Sequence, residues 1–255
     1  MPNEPLTSYV VGFSLVAARV GGAFIFVPIP GLEQTSLPPK ILLILAITFS
    51  LFSLWPVVDV GQGVIGLIVT GIAKEVCVGI CLGLVVALTS EFVNFGFHLV
   101  GIQAGYSFAT TIDPTSQADV TVLEALGRLL SGLLFFSLGL HHEVIRAFAA
   151  SLQAHPAGMW TVGPSVIEPV IRLFQVMLAT GLRLALPLIA SMVMIDIALG
   201  LIGRISSQVH LLHMSFPIKM LASLLLISWI ITALPSIFKD LAARVLHDMH
   251  AAIGI

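Results

Sequence analysis

Apolar residues occur along this chain in long runs that are separated by prolines, glycines and short polar stretches. A helix needs about 20 residues to cross a hydrocarbon core of about 30 Å, so runs of this order predict membrane helices. At least six are present, and a further one is partly polar at 91–109. The predicted helices cover residues 8–27, 41–58, 64–90, 91–109, 122–150, 166–201 and 214–238. The pattern predicts an all-α, polytopic helical membrane protein.

Residues 104–121 interrupt the apolar pattern. Most polar side chains in this stretch are short, and Asp113 followed by Pro114 disfavours helical backbone. We therefore predict that this stretch is a loop. Irregular backbone at membrane depth is tolerated only where it is buried in protein or lines a water-filled passage. The loop is accordingly either a gate or plug inside the protein, or an ordinary external loop.

The C-terminal tail, residues 239–255, has a different pattern. Its apolar residues recur at helical spacing, while its charged residues and histidines fall on the other side. This arrangement is typical of an amphipathic helix that lies at the membrane interface.

Composition supports a membrane protein and excludes several other classes. Apolar residues make up 58% of the chain and charged residues only 9%, where about 25% is usual in soluble domains. A net charge of -2 without a basic cluster excludes a nucleic-acid binder, and the apolar content excludes a disordered chain or a soluble enzyme. Cys77 and Cys81, four residues apart in an apolar run, provide neither a disulfide framework nor a zinc site.

Motifs that would indicate catalysis are missing from the sequence. The glycine-rich loop of nucleotide hydrolases does not occur. The run from His141 to Glu143 lacks the His-Glu-x-x-His spacing that places two zinc ligands one helical turn apart. Ser107 lacks the second glycine of a nucleophile elbow. We therefore expect no enzymatic activity, no cofactor and no metal.

Several charged residues lie well inside apolar segments. A charge at mid-bilayer costs on the order of 2.5 to 3.5 kcal/mol, so these side chains should face other helices, a watery pathway or one another. Three interpretations compete: a proton or ion relay, an ion pair that fixes internal packing, and a contact with another subunit. Besides these, a long side chain can simply reach the membrane interface. A chain of this kind is expected to need partner proteins. The residues concerned are Arg19, Lys74, Glu75, Arg183 and Asp196.

Glycines at helical spacing indicate close packing of helices. Gly79 and Gly83 are separated by three residues, as are Gly101 and Gly105. Small residues at this spacing allow two backbones to approach closely in a membrane. The approach is between helices of this chain or between subunits.

A series of short motifs also occurs in a characteristic order. The most specific part is Gly96-x-x-x-x-Gly101-Ile-Gln103-Ala-Gly105 followed by Asp113-Pro114. The other parts are Arg19-Val-Gly-Gly-Ala-Phe, Pro28 to Gly31, Pro38, Pro56, Glu75, Gly79, Gly83, Gly139-Leu-His141, Ser151, Pro156-x-Gly158, Pro187, Arg204, Gln208 and Phe216-Pro217-x-Lys219.

In this order the motifs resemble the FliR family of flagellar type III export-gate proteins along essentially the whole chain. One departure is Ser207-Gln208, where family members often have Pro-Gln. The injectisome counterparts of the family have a similar layout. The alternatives to a flagellar export-gate protein are therefore an injectisome-type homologue and, from another class, a stand-alone ion-coupled transporter that uses Lys74, Glu75 and Asp196.

The resemblance implies how the chain is organised. Residues 1–163, including the loop 106–117, would be FliP-like, residues 164–238 would form a FliQ-like helical hairpin, and 239–255 would be the amphipathic tail. The protein would sit in the bacterial inner membrane within the flagellar basal body. With FliP and FliQ it would form the channel for unfolded flagellar proteins, and it would contact FlhB.

The resemblance also implies roles for single residues. The channel plug would be formed by Tyr106, Ser107, Phe108, Ile112, Asp113 and Pro114. Subunit contacts would be made by the buried charges Arg19, Lys74, Glu75, Arg183, Asp196 and Arg204. Helix packing would depend on Gly79, Gly83, Gly101, Gln103 and Gly105.

Overall fold

The computed structural model describes residues 4–27, 37–56, 64–106, 121–159, 164–205 and 211–253. Within these ranges the secondary structure is helical throughout, which confirms the predicted all-α class. The α-helices are α1 (Glu4–Ala23), α2 (Leu37–Ser50), α3 (Val64–Ala104), α4 (Val122–Ser137), α5 (Leu140–Ala154), α6 (Pro164–Ile205), α7 (Leu211–Ile230) and α8 (Leu234–Ile253). A single 3₁₀ turn, Phe52–Leu54, follows α2.

Three helices among the described residues are long and apolar enough to cross a membrane. Their apolar stretches are Thr7–Phe24, Ile68–Ala104 and Ile167–Arg204. The number rises to five if α4 with α5 and α7 with α8, each bent at a short break, count as one span each. Length and composition therefore agree with the predicted polytopic membrane protein.

The predicted helices 64–90 and 91–109 form one continuous helix, α3, which ends at Ala104. The prediction was wrong here because Glu91 and Asn94 do not interrupt a helix that contains no proline. The amide of Asn94 donates to the Glu91 carboxylate at 3.0 Å within the same turn.

Two other predicted helices, 122–150 and 214–238, are broken. The first bends by 65° at Gly139, whose φ of +71° lies in the left-handed region that favours glycine. The second bends by 60° after Ile230. Pro235 accounts for this break, because its ring lacks an N–H and clashes with the carbonyl four residues earlier.

The chain divides into two compact units that each combine separate stretches of sequence. The first unit comprises Met1–Thr89, Phe135–Phe174 and Leu241–Ile255. The second unit comprises Ser90–Leu134 and Gln175–Asp240. Each unit thus combines residues from both halves of the chain.

In the first unit, α1 packs on α2, and the 3₁₀ turn packs on both α2 and α5. The indole of Trp55 lies 5.1 Å from the ring of Phe13 and 4.9 Å from that of Phe52, centroid to centroid. Its Nε1–H donates to the carbonyl of Thr48 at 3.0 Å, so the polar edge of the ring is satisfied. This aromatic cluster fixes the end of α2 against α1.

Glycines bring α1 and α3 into backbone contact in the first unit. A Cβ added to Gly79 would overlap the carbonyl of Arg19, and one added to Gly83 would overlap the carbonyl of Ala23. On the other side of the contact, a Cβ at Gly22 would lie 2.5 Å from the carbonyl oxygen of Val76. The Gly79-x-x-x-Gly83 pair thus packs two helices of the same chain.

Glycines have the same effect in the second unit, between α3 and α6. A Cβ at Gly181 would lie 2.8 Å from the carbonyl oxygen of Phe92, and one at Gly96 would lie 2.9 Å from Leu184 Cδ2. The ring of Phe92 also lies 5.6 Å from that of Phe238 on α8. The C-terminal portion of α3 is therefore enclosed by later helices.

We expect Gly79→Ala to destabilise the purified protein by about 1–3 kcal/mol, because the added methyl group meets backbone that cannot turn away. Gly66→Ala is the matched control on the same helix, since a Cβ there meets nothing within 4 Å. It should stabilise the protein by about 0.5–1 kcal/mol. Equal melting temperatures for the two variants would contradict the backbone contact.

Candidate functional site

The predicted loop 106–117 follows the end of α3, and this end has a defined geometry. Gly105 has a φ of +85°, its N–H donates to the carbonyl of Ile102 at 3.1 Å, and the N–H of Tyr106 donates to the carbonyl of Gly101 at 3.0 Å. These two bonds form a Schellman motif, which ends a helix with a left-handed residue. A Cβ on Gly105 would lie 2.6 Å from the ring of Phe216. Gly105 thus fixes the direction in which the chain leaves α3.

Tyr106 then binds α7 through its hydroxyl group. The hydroxyl donates to the carbonyl of Met220 at 3.2 Å and lies 3.3 Å from Oγ of Ser223, which is fully buried. Tyr106, the first residue of the predicted loop, is therefore held against the side of α7. We call Gly105, Tyr106, Phe216 and Ser223 the first anchor.

An ion pair lies next to the first anchor and joins three helices. Nζ of Lys219 on α7 lies 2.6 Å from Oδ1 of Asp196 on α6, and the two side chains are 14% and 41% exposed. Nζ also donates to the carbonyl of Gln103 in the last turn of α3 at 3.4 Å, and Nε2 of Gln103 lies 3.5 Å from Oδ2 of Asp196. A cation at the C-terminal end of a helix stabilises its free carbonyls.

The chain is fixed again at the start of α4, after the loop. The N–H of Glu124 donates to Oγ1 of Thr121 at 3.3 Å, and the N–H of Thr121 donates to the Glu124 carboxylate at 3.0 Å. This reciprocal pair is a capping box, which satisfies two backbone donors at the start of a helix. Nδ1 of His98 on α3 also contacts the Glu124 carboxylate. We call His98, Thr121 and Glu124 the second anchor.

The first unit contains a second polar cluster, which is completely buried. Arg19 and Glu75 have no solvent-exposed surface. Nε and Nη2 of Arg19 donate to the two oxygens of the Glu75 carboxylate at 2.5 and 3.1 Å. The arginine also donates to Oγ of Ser151 at 3.3 Å and to the carbonyl of His155 at 3.1 Å, and the N–H of Gly158 donates to Glu75 at 2.7 Å.

This buried cluster ties α1 and α3 to the end of α5. Two parallel N–H donors of an arginine on one carboxylate form the strongest kind of ion pair in proteins, and the remaining polar groups are bonded as well. For Arg19 and Glu75, the geometry matches the interpretation of an ion pair that fixes internal packing. Asp196 is likewise neutralised within the chain, by Lys219.

The other predicted site residues are placed as follows. Lys74, Arg183 and Arg204 are exposed, and their contact with other subunits stays a prediction. Gly101 faces Thr121, whose Oγ1 would lie 3.5 Å from an added Cβ. The plug residues Ser107, Phe108, Ile112, Asp113 and Pro114 lie outside the described residues.

Sequence reasoning missed the residues that complete these clusters. The spacing Thr121-x-x-Glu124 is the signature of a capping box and was available as a signal. Ser151 and Ser223 carry no such signal, because their partners are more than a hundred residues away in sequence. Among the described residues, no three His, Cys, Asp or Glu side chains are grouped as metal ligands.

We expect Arg19→Met and Glu75→Leu each to destabilise the protein by about 3–5 kcal/mol, because each leaves an unpaired charge in the interior. The double variant should be more stable than either single variant. Melting temperature in detergent measures this difference. The control is Arg172→Ala, which removes an exposed ion pair with Glu168 and should change stability by less than about 1 kcal/mol. A double variant less stable than both single ones would contradict the pairing.

The chain is similar to known bacterial proteins over most of its length. The family model described as bacterial export proteins, family 1, matches residues 10–245. The flagellar biosynthetic protein FliR of Escherichia coli (strain K12) is 29% identical over 75% of this chain and 74% of its own length. The FliR protein of Bacillus subtilis (strain 168) is 23% identical over 95% of this chain and 96% of its own length. That of Caulobacter vibrioides is 24% identical over 89% and 91%.

Proposed function

This chain belongs to the bacterial export proteins, family 1, and is a component of the flagellar protein export apparatus, and we propose that it forms the export channel together with FliP- and FliQ-type subunits. The family match over most of the chain supports a place in the export apparatus. The observation that carries the channel role is the pair of anchors, which fix both ends of the stretch that contains the loop 106–117.

The length of the apolar helices supports assembly with other subunits. The helices α3 and α6 have 41 and 42 residues. At 1.5 Å per residue each is about 60 Å long, twice the hydrocarbon thickness of about 30 Å. Membrane helices rarely tilt by more than about 40°, so tilting does not bring this length within the bilayer. Because most of the stretch Ile167–Arg204 is not buried within the chain, the apolar surface that extends beyond the bilayer needs protein cover.

The two anchors support the role of the loop as a plug. Gly105 and Tyr106 hold its beginning by backbone geometry and by bonds to α7, and Thr121 caps the helix that follows it. A segment that closes a channel must return to one position, and fixed ends restrict where it lies. In this proposal Tyr106, Ser107, Phe108, Ile112, Asp113 and Pro114 occlude the closed channel.

The remaining elements of the proposal concern place and partners. The protein lies in the bacterial inner membrane within the flagellar basal body, and exported flagellar proteins pass through it unfolded. It carries out no catalysis of its own and relies on the proton-motive force and ATPase of its partners. Residues 1–163 are FliP-like and residues 164–238 are FliQ-like. The exposed Lys74 contacts a neighbouring subunit, and FlhB binds the assembled complex.

The alternative of an ion-coupled transporter receives no support from the charged residues. It requires carboxylates that are free to bind and release an ion. Glu75 is held by Arg19 and by the N–H of Gly158, and Asp196 is held by Lys219. Lys74 is exposed.

We expect cells in which residues 107–117 are replaced by a glycine–serine linker of equal length to leak small ions, because the linker lacks the bulky residues that occlude the channel. Cells that carry Gly105→Ala should leak small ions to a smaller extent. A left-handed non-glycine residue costs about 1–2 kcal/mol, and the added methyl group displaces Phe216. Gly200→Ala, with nothing near its Cβ, is the control. Membrane conductance of whole cells measures the leak. Unchanged conductance in the linker variant would refute the plug.

We also expect the chain to purify in mild detergent as a complex with FliP- and FliQ-type subunits that are co-expressed in the same cells. The large exposed apolar residues of α6 indicate a surface that packs against other subunits. Size-exclusion chromatography with mass measurement gives the composition. A monomer recovered alone, with all subunits present in the same membranes, would overturn the proposed assembly while leaving family membership intact.

A further inference from the structure

One exposed face of α6 changes its chemistry abruptly at Arg183. The face is marked by residues three or four apart, all of which are exposed. Before Leu186 these positions carry only charged, polar or small side chains, whereas Ile171, Phe174 and Leu182 beside them are apolar and exposed as well. From Leu186 onward the positions themselves carry chiefly large apolar side chains. The residues in order are Arg172, Gln175, Ala179, Arg183, Leu186, Ala190, Met194, Ile197 and Leu201.

The opposite face of α6 packs inside the second unit. Met177, Leu184, Leu188 and Met192 are at most 7% exposed. The exposed face therefore points away from the portion of the unit that covers α6, and its change of chemistry does not reflect internal packing.

The neighbouring helix α7 has an exposed tryptophan at a position that corresponds to Arg183. The Asp196–Lys219 pair lies nine residues before the end of α6 and eight after the start of α7, so the two helices run side by side in opposite directions. Leu186 lies ten residues before Asp196 on α6, and Trp229 lies ten residues after Lys219 on α7. Each is therefore about 15 Å from the ion pair along its helix. Trp229 is 73% exposed, and α7 ends one residue later. Arg183 lies three residues before Leu186. Trp229 and Arg183 are therefore at nearly the same position along the axis of the helix pair.

The distance from Arg183 to Arg204 along α6 matches the thickness of the hydrocarbon core of a bilayer. From Arg183 to Arg204 is about 32 Å along α6, against a hydrocarbon core of about 30 Å. Between these two arginines the one charged residue of α6 is Asp196, which is neutralised by Lys219. Both bounding arginines are exposed. Tryptophan and arginine are enriched at membrane interfaces, where long basic side chains reach the headgroups.

We propose that residues 184–203 of α6, together with α7, cross the bilayer, and that Arg183 and Trp229 lie at one interface and Arg204 at the other. Each guanidinium binds phospholipid phosphate, for which its planar fork of donors is suited. The apolar portion of the exposed face contacts acyl chains. The portion of α6 before Arg183 stands outside the hydrocarbon core. For Arg183 and Arg204, lipid phosphate thus takes the place of the predicted partner subunit.

The proposal is independent of the plug, and a matched pair of alanines tests it. Ala179 and Ala190 lie on the same exposed face on either side of Arg183. Each is changed to cysteine in a chain that carries Cys77→Ala and Cys81→Ala, expressed with its partner subunits. Met194 and Leu201 are changed in the same way. The cysteines are labelled with a small fluorophore in native membranes that contain spin-labelled phospholipids.

We expect the lipid spin label to quench the fluorophore at Ala190 and Leu201, and most strongly at Met194, which lies midway between the two arginines. The label at Ala179 should escape quenching by lipid and should be quenched by an aqueous quencher. Motility of each strain and the amount of protein in the membrane show that the variants fold and assemble.

Three results would overturn the proposal. Lipid quenching at both alanines would place the first half of α6 in the bilayer as well. Protection of Ala190 and Met194 from lipid and water alike would show that another subunit covers this face. In a second arm, Arg183→Leu should bring Ala179 into reach of lipid quenching and Arg183→Lys should not. If lipid quenching at position Ala179 is unchanged in the Arg183→Leu variant, the anchoring by Arg183 is refuted.

Discussion

The structure depends on the neutralisation of the charges that its apolar helices enclose. Arg19 and Glu75 meet this constraint in the first unit by a two-pronged ion pair without solvent exposure, and Asp196 and Lys219 meet it in the second. An unpaired charge in such surroundings costs several kcal/mol, and a pair that is fully bonded removes most of that cost.

Backbone contacts between helices provide the short distances that the ion pairs need. Gly79 packs on the carbonyl of Arg19 itself, and Glu75 lies one helical turn before Gly79. The glycine therefore sets the separation at which the guanidinium and the carboxylate meet. In the second unit, Gly181 and Gly96 bring α6 close to α3, where Asp196 contacts Gln103. Small residues and charges thus act together in both units.

Much of the architecture could be predicted from sequence because apolar length and glycine spacing are local signals. The all-α class, the membrane helices and the close approach at Gly79 and Gly83 follow from such signals. The helix bends at Gly139 and before Pro235 were missed, because apolar residues continue through both breaks. The pairing of Arg19 with Glu75 remained one of three interpretations, since 56 residues separate the partners and only tertiary packing decides between them.

The buried cluster has a consequence for how the protein is made. Arg19 and Glu75 leave the ribosome well before Ser151, His155 and Gly158, which complete their bonding. Because synthesis proceeds from the N-terminus, the charges of α1 and α3 are present before the other donors and acceptors of the cluster have been synthesised. The first unit also includes residues from Leu241 onward. This unit is therefore complete only after the residues from Leu241 onward have been synthesised.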